Sequence, residues 1–183
     1  MTEAPGRYQR SPRGMLAALV VVVVGVTVVV GLRGLGQGNA PSPVQTVDYH
    51  GWVSSGRQDG KLDIMVPRPM PHGWRATSVS YVTGSDPRWH LGMLTDQGRY
   101  VGIEESWGSP AEMVQQYVDA NAHRGRVVSI NARSWQAWTD QGGDYALVST
   151  RPSRVAHRPE TVLVVGDAGP SVIQQFAARL RAG

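Results

Sequence analysis

The longest apolar stretch of the chain covers residues 15–32, MLAALVVVVVGVTVVVGL, and contains no charged side chain. Because an α-helix rises about 1.5 Å per residue, roughly 20 apolar residues are needed to cross a hydrocarbon core about 30 Å thick. The stretch is close to that length, and it lacks the polar face that a surface helix turns toward water. The pattern therefore predicts one transmembrane helix near the N-terminus.

The charges on either side of this helix predict its orientation. Arg7, Arg10 and Arg13 precede it, whereas Arg33 is the one basic residue close behind it. Since the side richer in Lys and Arg stays in the cytoplasm, residues 1–14 are predicted to form a short cytoplasmic tail and the rest of the chain to lie outside. A cleaved signal peptide is the alternative, but its apolar core usually has only about 7–15 residues.

The segment that follows the helix, residues 33–63, is predicted to be a linker and a poorly patterned stretch. Residues 34–43 read GLGQGNAPSP, in which glycine and proline are frequent and almost nothing apolar can pack. Regular patterning starts only at Ile64. Residues 64–183 are therefore predicted to be the folded extracytoplasmic domain.

Apolar and polar residues alternate with period two at residues 77–82, 89–94 and 100–105, and short polar turns separate these stretches. Such alternation is typical of half-buried strands, and the short turns predict an antiparallel meander. A helix is predicted to begin directly afterwards, because Ser109 and Glu112 have the spacing of a capping box.

The second half of the domain repeats this order of strands followed by a helix, which opens at Pro170. Helices with one apolar stripe need a sheet face to cover. The chain is therefore predicted to be an α+β protein, a two-layer domain with a mainly antiparallel sheet covered by two helices. A strand-strand-strand-helix duplication would account for the repeated order. The further predicted strands cover residues 127–130, 134–138, 145–149 and 161–165, and the apolar face of the last helix comprises Val172, Ile173, Phe176, Ala177 and Leu180.

The amino-acid composition and charge exclude several classes of function. The chain has no cysteine, which excludes disulfides, thiolate metal sites, a cysteine nucleophile and a lipoprotein anchor. Its formal net charge is +4, but the arginines alternate with acids instead of clustering with aromatic residues. A nucleic-acid partner is therefore not predicted.

Several short blocks carry a resemblance: PHGWRATS at 71–78, WHLG at 89–92, residues 95–100 with Gly98, Glu105-Ser106, RSW at 133–135, Ala146-Leu147 and residues 161–166. Together they resemble an actinobacterial family of unknown function, numbered 4245 among the domains of unknown function. The chain departs from the pattern at Glu105, because glutamine commonly precedes the serine. The resemblance implies a single-pass envelope protein of an actinobacterium. It brings no activity, since the family has none assigned.

No catalytic, cofactor-binding or metal-binding residues are predicted. Glu104 and Glu105 are neighbours on a strand, so their side chains point to opposite faces and do not form an acid/base pair. The histidines are dispersed, without the spacing that places two metal ligands on one face. Ser106 follows a strand but lies in no GxSxG turn. His90 is the histidine of interest, because it lies mid-strand beside Trp89.

All six tryptophans lie outside the predicted membrane span. Three of them are interpreted as core residues. The other three have fewer apolar neighbours in the sequence, and an indole offers both an apolar body and a hydrogen-bond donor. Together with His90, they are the predicted ligand or partner surface: Trp52, Trp107 and Trp138.

These features predict a single-pass, membrane-anchored module of the cell envelope that binds or interacts without catalysing a reaction. Two classes remain open: a module that holds an envelope lipid or glycan between sheet and helices, and a protein that docks to an envelope complex. A large apolar cavity would favour the first, and a filled core with an exposed aromatic patch the second. The alternative is an envelope hydrolase, or an accessory subunit of an envelope enzyme, in which His90, Ser106 and Glu104 or Glu105 would converge.

Overall fold

A computed structural model describes residues 44–182 of the chain. The transmembrane helix predicted at residues 15–32, and the tail before it, lie outside the described residues. Among the helices within residues 44–182, none is both long and apolar enough to cross a membrane. The compact unit of the fold begins at Val44.

Residues 44–182 form three helices and nine strands, and most of the strands belong to one sheet. The predicted α+β class with a mainly antiparallel sheet is therefore confirmed. The helices are α1 (His50–Asp59), α2 (Pro110–Tyr117) and α3 (Pro170–Ala177). The strands are β1 (Met65–Pro67), β2 (Arg75–Val82), β3 (Arg88–Leu94), β4 (Tyr100–Ser106), β5 (His123–Ile130), β6 (Arg133–Thr139), β7 (Tyr145–Pro152), β8 (Pro159–Gly166) and β9 (Leu180–Ala182).

The main sheet has seven strands in the order β2-β3-β4-β8-β7-β6-β5, and every neighbouring pair is antiparallel. The predicted meander is confirmed as β2-β3-β4, with Leu91 opposite Ile103 near its centre. Strands β5 to β8 form a second meander. Strand β4 pairs with β8, where Ile103 lies opposite Val164, so the two meanders join in the middle of the sheet. A strand-strand-strand-helix repeat is not exact, because the second meander has four strands.

The helices that follow the two meanders pack on opposite faces of the sheet. Val164 on β8 and Phe176 on α3 belong to the larger buried apolar cluster. Leu163, the neighbour of Val164, belongs with Met113 of α2 to a smaller cluster on the other face. The predicted two-layer arrangement is therefore wrong at β7 and β8, which lie between α2 and α3. The continuous apolar run at 162–165 is the signal of a strand buried on both faces.

Helix α1 lies within residues 33–63, the segment interpreted as linker and poorly patterned. Only Val53 and Gly56 of α1 are buried, so the helix has too few apolar residues for a recognisable stripe. Gly56 permits a close approach, because a Cβ at this position would lie 2.8 Å from Cδ1 of Ile64. The ordered packing of the domain therefore begins before residue 64.

The sequence predicted the start of α2 correctly, but it did not predict the end of α3. The capping box of α2 is confirmed, since the Ser109 N–H donates to Oε2 of Glu112 (2.8 Å) and the Glu112 N–H donates to Oγ of Ser109 (3.3 Å). Helix α3 ends at Ala177, so Leu180, predicted on its apolar face, starts β9 instead. Strand β9 pairs with β1, where Leu180 lies opposite Pro67, and Leu180 is buried in the larger cluster.

Phe176→Ala is expected to lower the free energy of unfolding by about 3–5 kcal/mol. The Phe176 side chain is 1% exposed and stacks on Trp74 with ring centroids 5.2 Å apart, so the variant leaves a cavity under α3. Val127→Ala is the control, because Val127 is 59% exposed and its truncation should cost less than about 0.5 kcal/mol. Urea unfolding followed by tryptophan fluorescence measures both. Equal losses would contradict the packing of α3 in the core.

Candidate functional site

A group of buried charges lies on the sheet face that α3 covers. Arg151 on β7 is 9% exposed and forms three ion pairs. Its Nη1 lies 2.5 Å from Oδ2 of Asp63, and its Nη2 lies 2.7 Å from Oε1 of Glu105 and 2.8 Å from Oε2 of Glu160. Strand pairing assembles the group, because Glu160 lies opposite Arg151 on β8 and β4 runs along the other side of β8.

The same carboxylates hold the segment before β1 against the sheet. Oε2 of Glu105 accepts a hydrogen bond from the Met65 N–H (2.9 Å), and Oε1 of Glu160 accepts one from the Asp63 N–H (3.2 Å). The Arg154 N–H in turn donates to Oδ1 of Asp63 (3.2 Å). The network therefore joins three strands of the sheet to two loops.

Three carboxylates surround one guanidinium in this network, so negative charge is in excess. Burial raises the pKa of Glu105 to about 7, although Arg151 and the Met65 N–H offset part of the rise. Burial likewise raises the pKa of Glu160 above its ordinary value. The network therefore holds a proton more readily than exposed glutamates do.

A cleft with a volume of about 370 Å³ adjoins the network. Four arginines line it: Arg133, Arg151, Arg154 and Arg181. The rest of the wall is largely apolar and includes the buried side chain of Trp135. We call this feature the arginine cleft.

The positive charge of the arginine cleft is only partly balanced by the described residues. Within residues 44–182, neither Arg133 nor Arg154 forms an ion pair. Burial and the positive charges of Arg151 and Arg154 lower the pKa of Arg133. The Arg151 Nε–H is buried and has no hydrogen-bond partner in the described part of the chain. Because Arg133 and Arg154 have no ion pair among the described residues, the cleft can accept an anion, which would supply the countercharge.

A second polar group surrounds His90 on the opposite face of the sheet. Nε2 of His90 lies 2.8 Å from Oγ of Ser78, and Nδ1 lies 2.5 Å from Oε1 of Glu104. Ser106 does not join this group, because its hydroxyl donates to Sδ of Met113. The convergence of His90 with Ser106 considered for a hydrolase is therefore wrong, and Ser78 occupies the position next to the ring.

Glu104 and Glu105 point to opposite faces, as the strand alternation predicts, and both are buried. Burial raises the pKa of Glu104, and its hydrogen bond with His90 offsets part of that rise. Glu105 instead faces Arg151. Each carboxylate therefore belongs to a different polar group.

The three predicted surface tryptophans do not form one patch. Trp52 on α1 is 43% exposed. Trp107 is half-buried beneath Arg158, whose Cζ lies 4.0 Å from the ring centroid, and its Nε1–H donates to the Lys61 carbonyl (3.2 Å). Trp138 packs against the smaller cluster on the other face and lines a separate cleft there. Its buried Nε1–H has no partner among the described residues.

Sequence reasoning missed the arginine cleft because its residues are far apart along the chain. Their charges alternate with acids, which indicated a solvated surface. One signal was available: Arg151 follows Leu147 and Ser149 at period two, and this alternation directs its side chain to the buried face. Among the described residues, no group of His, Asp and Glu side chains has the arrangement of a metal site.

The chain belongs to the family described as "Protein of unknown function (DUF4245)", whose model matches residues 7–180. No curated protein matches the chain. A chain in the solved complex of Pseudomonas aeruginosa MucA and MucB is similar over 64% of this chain and 34% of its own length, at 13% identity and a TM-score of 0.38. This chain therefore spans about a third of that protein.

Glu105→Gln is expected to change how stability depends on pH. The pKa of Glu105 is raised from 4.5 to about 7, so the folded chain binds more protons than the unfolded chain between those values. The stability of the native chain relative to the variant should therefore fall as pH rises from about 4.5 to 8, by about 1–3 kcal/mol. Urea unfolding at several pH values measures this difference.

Glu112→Gln is the control for this measurement. Glu112 is exposed, and its hydrogen bonds with Ser109 lower its pKa, so its contribution is lost toward acid and does not decline toward neutral pH. A Glu105→Gln chain whose stability runs parallel to that of the native chain at every pH would contradict the role of burial.

Proposed function

We propose that this member of the DUF4245 family is an anchored binding module whose arginine cleft takes a small anionic ligand. The observation that carries the proposal is a cleft lined by four arginines, of which Arg133 and Arg154 form no ion pair within residues 44–182. A carboxylate or phosphate group in the cleft would accept hydrogen bonds from these guanidinium groups. It would also offset the repulsion between Arg133 and Arg154, since Arg151 is already paired with three carboxylates.

The rigidity of Arg151 supports binding of a shaped ligand. Asp63, Glu105 and Glu160 fix two nitrogens of its guanidinium, so the planar group keeps one orientation beside the cleft. A donor held in place before binding loses little conformational entropy when the ligand arrives. The site is therefore preorganised for one acceptor group.

The walls of the cleft support a ligand with an apolar part beside its charge. Trp135 and Leu180 are buried and line the cleft together with the arginines. A volume of about 370 Å³ falls in the range of small-molecule sites, roughly 300–1,000 Å³. Within residues 44–182, the side chains that line this cleft are those of arginine, asparagine and apolar residues, which suit the binding of an anion with an apolar part.

The place of the module in the cell is part of the same proposal. Residues 15–32 would anchor the chain in the membrane, residues 1–14 would stay in the cytoplasm, and the arginine cleft would open outside. The ligand would then be an anionic component of the cell envelope. A protein partner that offers an acidic side chain is the competing occupant of the cleft.

Phenyl phosphate is expected to bind the full-length chain and to lose affinity at least tenfold in an Arg133→Gln/Arg154→Gln variant, because two cations of the cleft are removed. Quenching of tryptophan fluorescence and titration calorimetry in a non-ionic detergent measure the affinity, with inorganic phosphate and benzoate as further probes. Arg57→Gln/Arg75→Gln is the matched control, since both residues are exposed arginines outside the cleft. No binding of any probe, or equal loss in both variants, would contradict the proposal.

Single introduced cysteines are expected to label from opposite sides of the membrane. The chain has no cysteine of its own, so each variant carries one thiol. In intact cells a membrane-impermeant maleimide should label Gln58→Cys, on the exposed side of α1, and should leave Ser11→Cys unlabelled until the cells are lysed. The reverse pattern would overturn the proposed orientation, and equal labelling of both positions would overturn the anchor.

A further inference from the structure

We propose that Ser78, His90 and Glu104 form a second functional site, a nucleophilic site that hydrolyses acyl esters. The three side chains come from the adjacent strands β2, β3 and β4. They lie on the sheet face opposite Arg151, so this site can be tested without disturbing the arginine cleft. The proposal does not depend on anion binding there.

The three side chains form a continuous hydrogen-bond relay. Oγ of Ser78 lies 2.8 Å from Nε2 of His90, and Nδ1 of His90 lies 2.5 Å from Oε1 of Glu104. We assign the Ser78 hydroxyl as the donor to Nε2 and Nδ1–H as the donor to Glu104. This direction requires the neutral imidazole with its proton on Nδ1, which leaves Nε2 free to act as a base. Nucleophile, base and orienting carboxylate are thus in the order that activates a serine hydroxyl.

The serine that contacts His90 is not the one directly opposite it in the strand register. His90 lies opposite Glu104 on β4 and opposite Ser80 on β2. Ser78 pairs with Gly92, two residues along β3 from His90, so its contact with the ring is diagonal across the strands. Among the described residues the ring bonds to Ser78 and not to Ser80, which is exposed. Ser80 is therefore a natural control.

Two glycines make room for hydroxyl groups above the strands. Gly92 and Gly102 lie opposite each other on β3 and β4. A Cβ on Gly92 would collide with Oγ of Ser78, and a Cβ on Gly102 would lie 2.5 Å from the Tyr100 hydroxyl. Glycine weakens a strand interior, and it often marks a place where another group approaches the backbone. Here the approaching groups are the hydroxyls of Ser78 and Tyr100.

Tyr100 provides a donor for the charge that develops in the reaction. Its hydroxyl also lies 3.2 Å from the position of a Cβ on Gly92, so it borders the same space as Ser78. Burial and the negative charge of Glu104 raise the pKa of Tyr100 to about 12, so the phenol stays protonated in neutral solution. A protonated phenol beside the nucleophile can donate to the oxyanion of a tetrahedral intermediate.

The exposure of the three residues suits this division of roles. The His90 side chain is 26% exposed, whereas Glu104 is 6% exposed. Ser78 is half-buried on β2, which is an edge strand of the sheet. A substrate can therefore reach the nucleophile and the base, while the orienting carboxylate is shielded from water.

In the proposed reaction, Oγ of Ser78 attacks the ester carbonyl carbon while Nε2 of His90 takes the hydroxyl proton. The carbon–oxygen bond to the alcohol breaks, and His90 returns the proton to the departing oxygen. Water then attacks the acyl-serine and gives a proton to Nε2. The acyl bond to Ser78 breaks, and that proton returns to Oγ. The net change is ester and water to acid and alcohol, with Glu104 as a positioning residue.

The first test is labelling of the purified full-length chain with a fluorescent fluorophosphonate, followed by peptide mass spectrometry. Ser78 Oγ forms a bond to phosphorus, and fluoride leaves with the hydroxyl proton as hydrogen fluoride. We expect the label on Ser78, no label there in Ser78→Ala, and labelling at least about 100-fold slower in His90→Gln. Ser80→Ala should label at the native rate. Thermal unfolding of each variant checks that it is folded.

The second test is turnover of p-nitrophenyl acetate. Glu104→Gln should lower kcat about 100-fold with little change in KM, because the imidazole loses its orientation and tautomer, and Glu104→Asp should restore part of the rate. A carboxylate with only a structural role would not lower kcat while leaving KM nearly unchanged in variants that remain folded. A native chain that carries no label on Ser78, or that labels there equally fast without His90, would overturn the proposal.

Discussion

The ion network around Arg151 is the interaction on which the rest of the structure depends. Three buried carboxylates share one guanidinium, and two of them also accept backbone N–H groups of Asp63 and Met65. A buried ion pair adds little net stability, but removal of one partner leaves an uncompensated charge that costs about 3–5 kcal/mol. The network therefore specifies where the segment before β1 lies, and it orients the arginine that faces the cleft.

One antiparallel sheet separates two polar groups with different chemistry. Side chains alternate across each strand, so the adjacent residues Glu104 and Glu105 serve opposite faces. On one face excess carboxylate fixes Arg151 beside a cationic cleft; on the other, Glu104 orients His90 toward Ser78. Every member of the two groups except Asp63, which lies just before β1, is held on a strand of the folded sheet. The same fold can therefore support binding and a chemical step independently.

Local patterns predicted much of the fold. Alternation located β2, β3 and β4, and the capping box located the start of α2, because both depend on contacts within a few residues. Helix α1 was missed since it buries only Val53 and Gly56, and β1 and β9 were missed because three-residue strands have no periodicity. Of the candidate site, His90 was recognised from its mid-strand position. Ser78 was not, because its contact with the ring is diagonal, whereas Ser80 lies directly opposite His90 in the register.

The sequence by itself determined the class of the fold and the face to which each strand residue points, since side-chain alternation is a property of the backbone. Only the tertiary structure decided that β4 lies beside β8, and this pairing brings Glu105 to Arg151. It also decided that α2 and α3 cover opposite faces and that scattered arginines share one cleft. Contacts between distant strands leave no local pattern in the sequence, because they arise from packing the whole sheet at once.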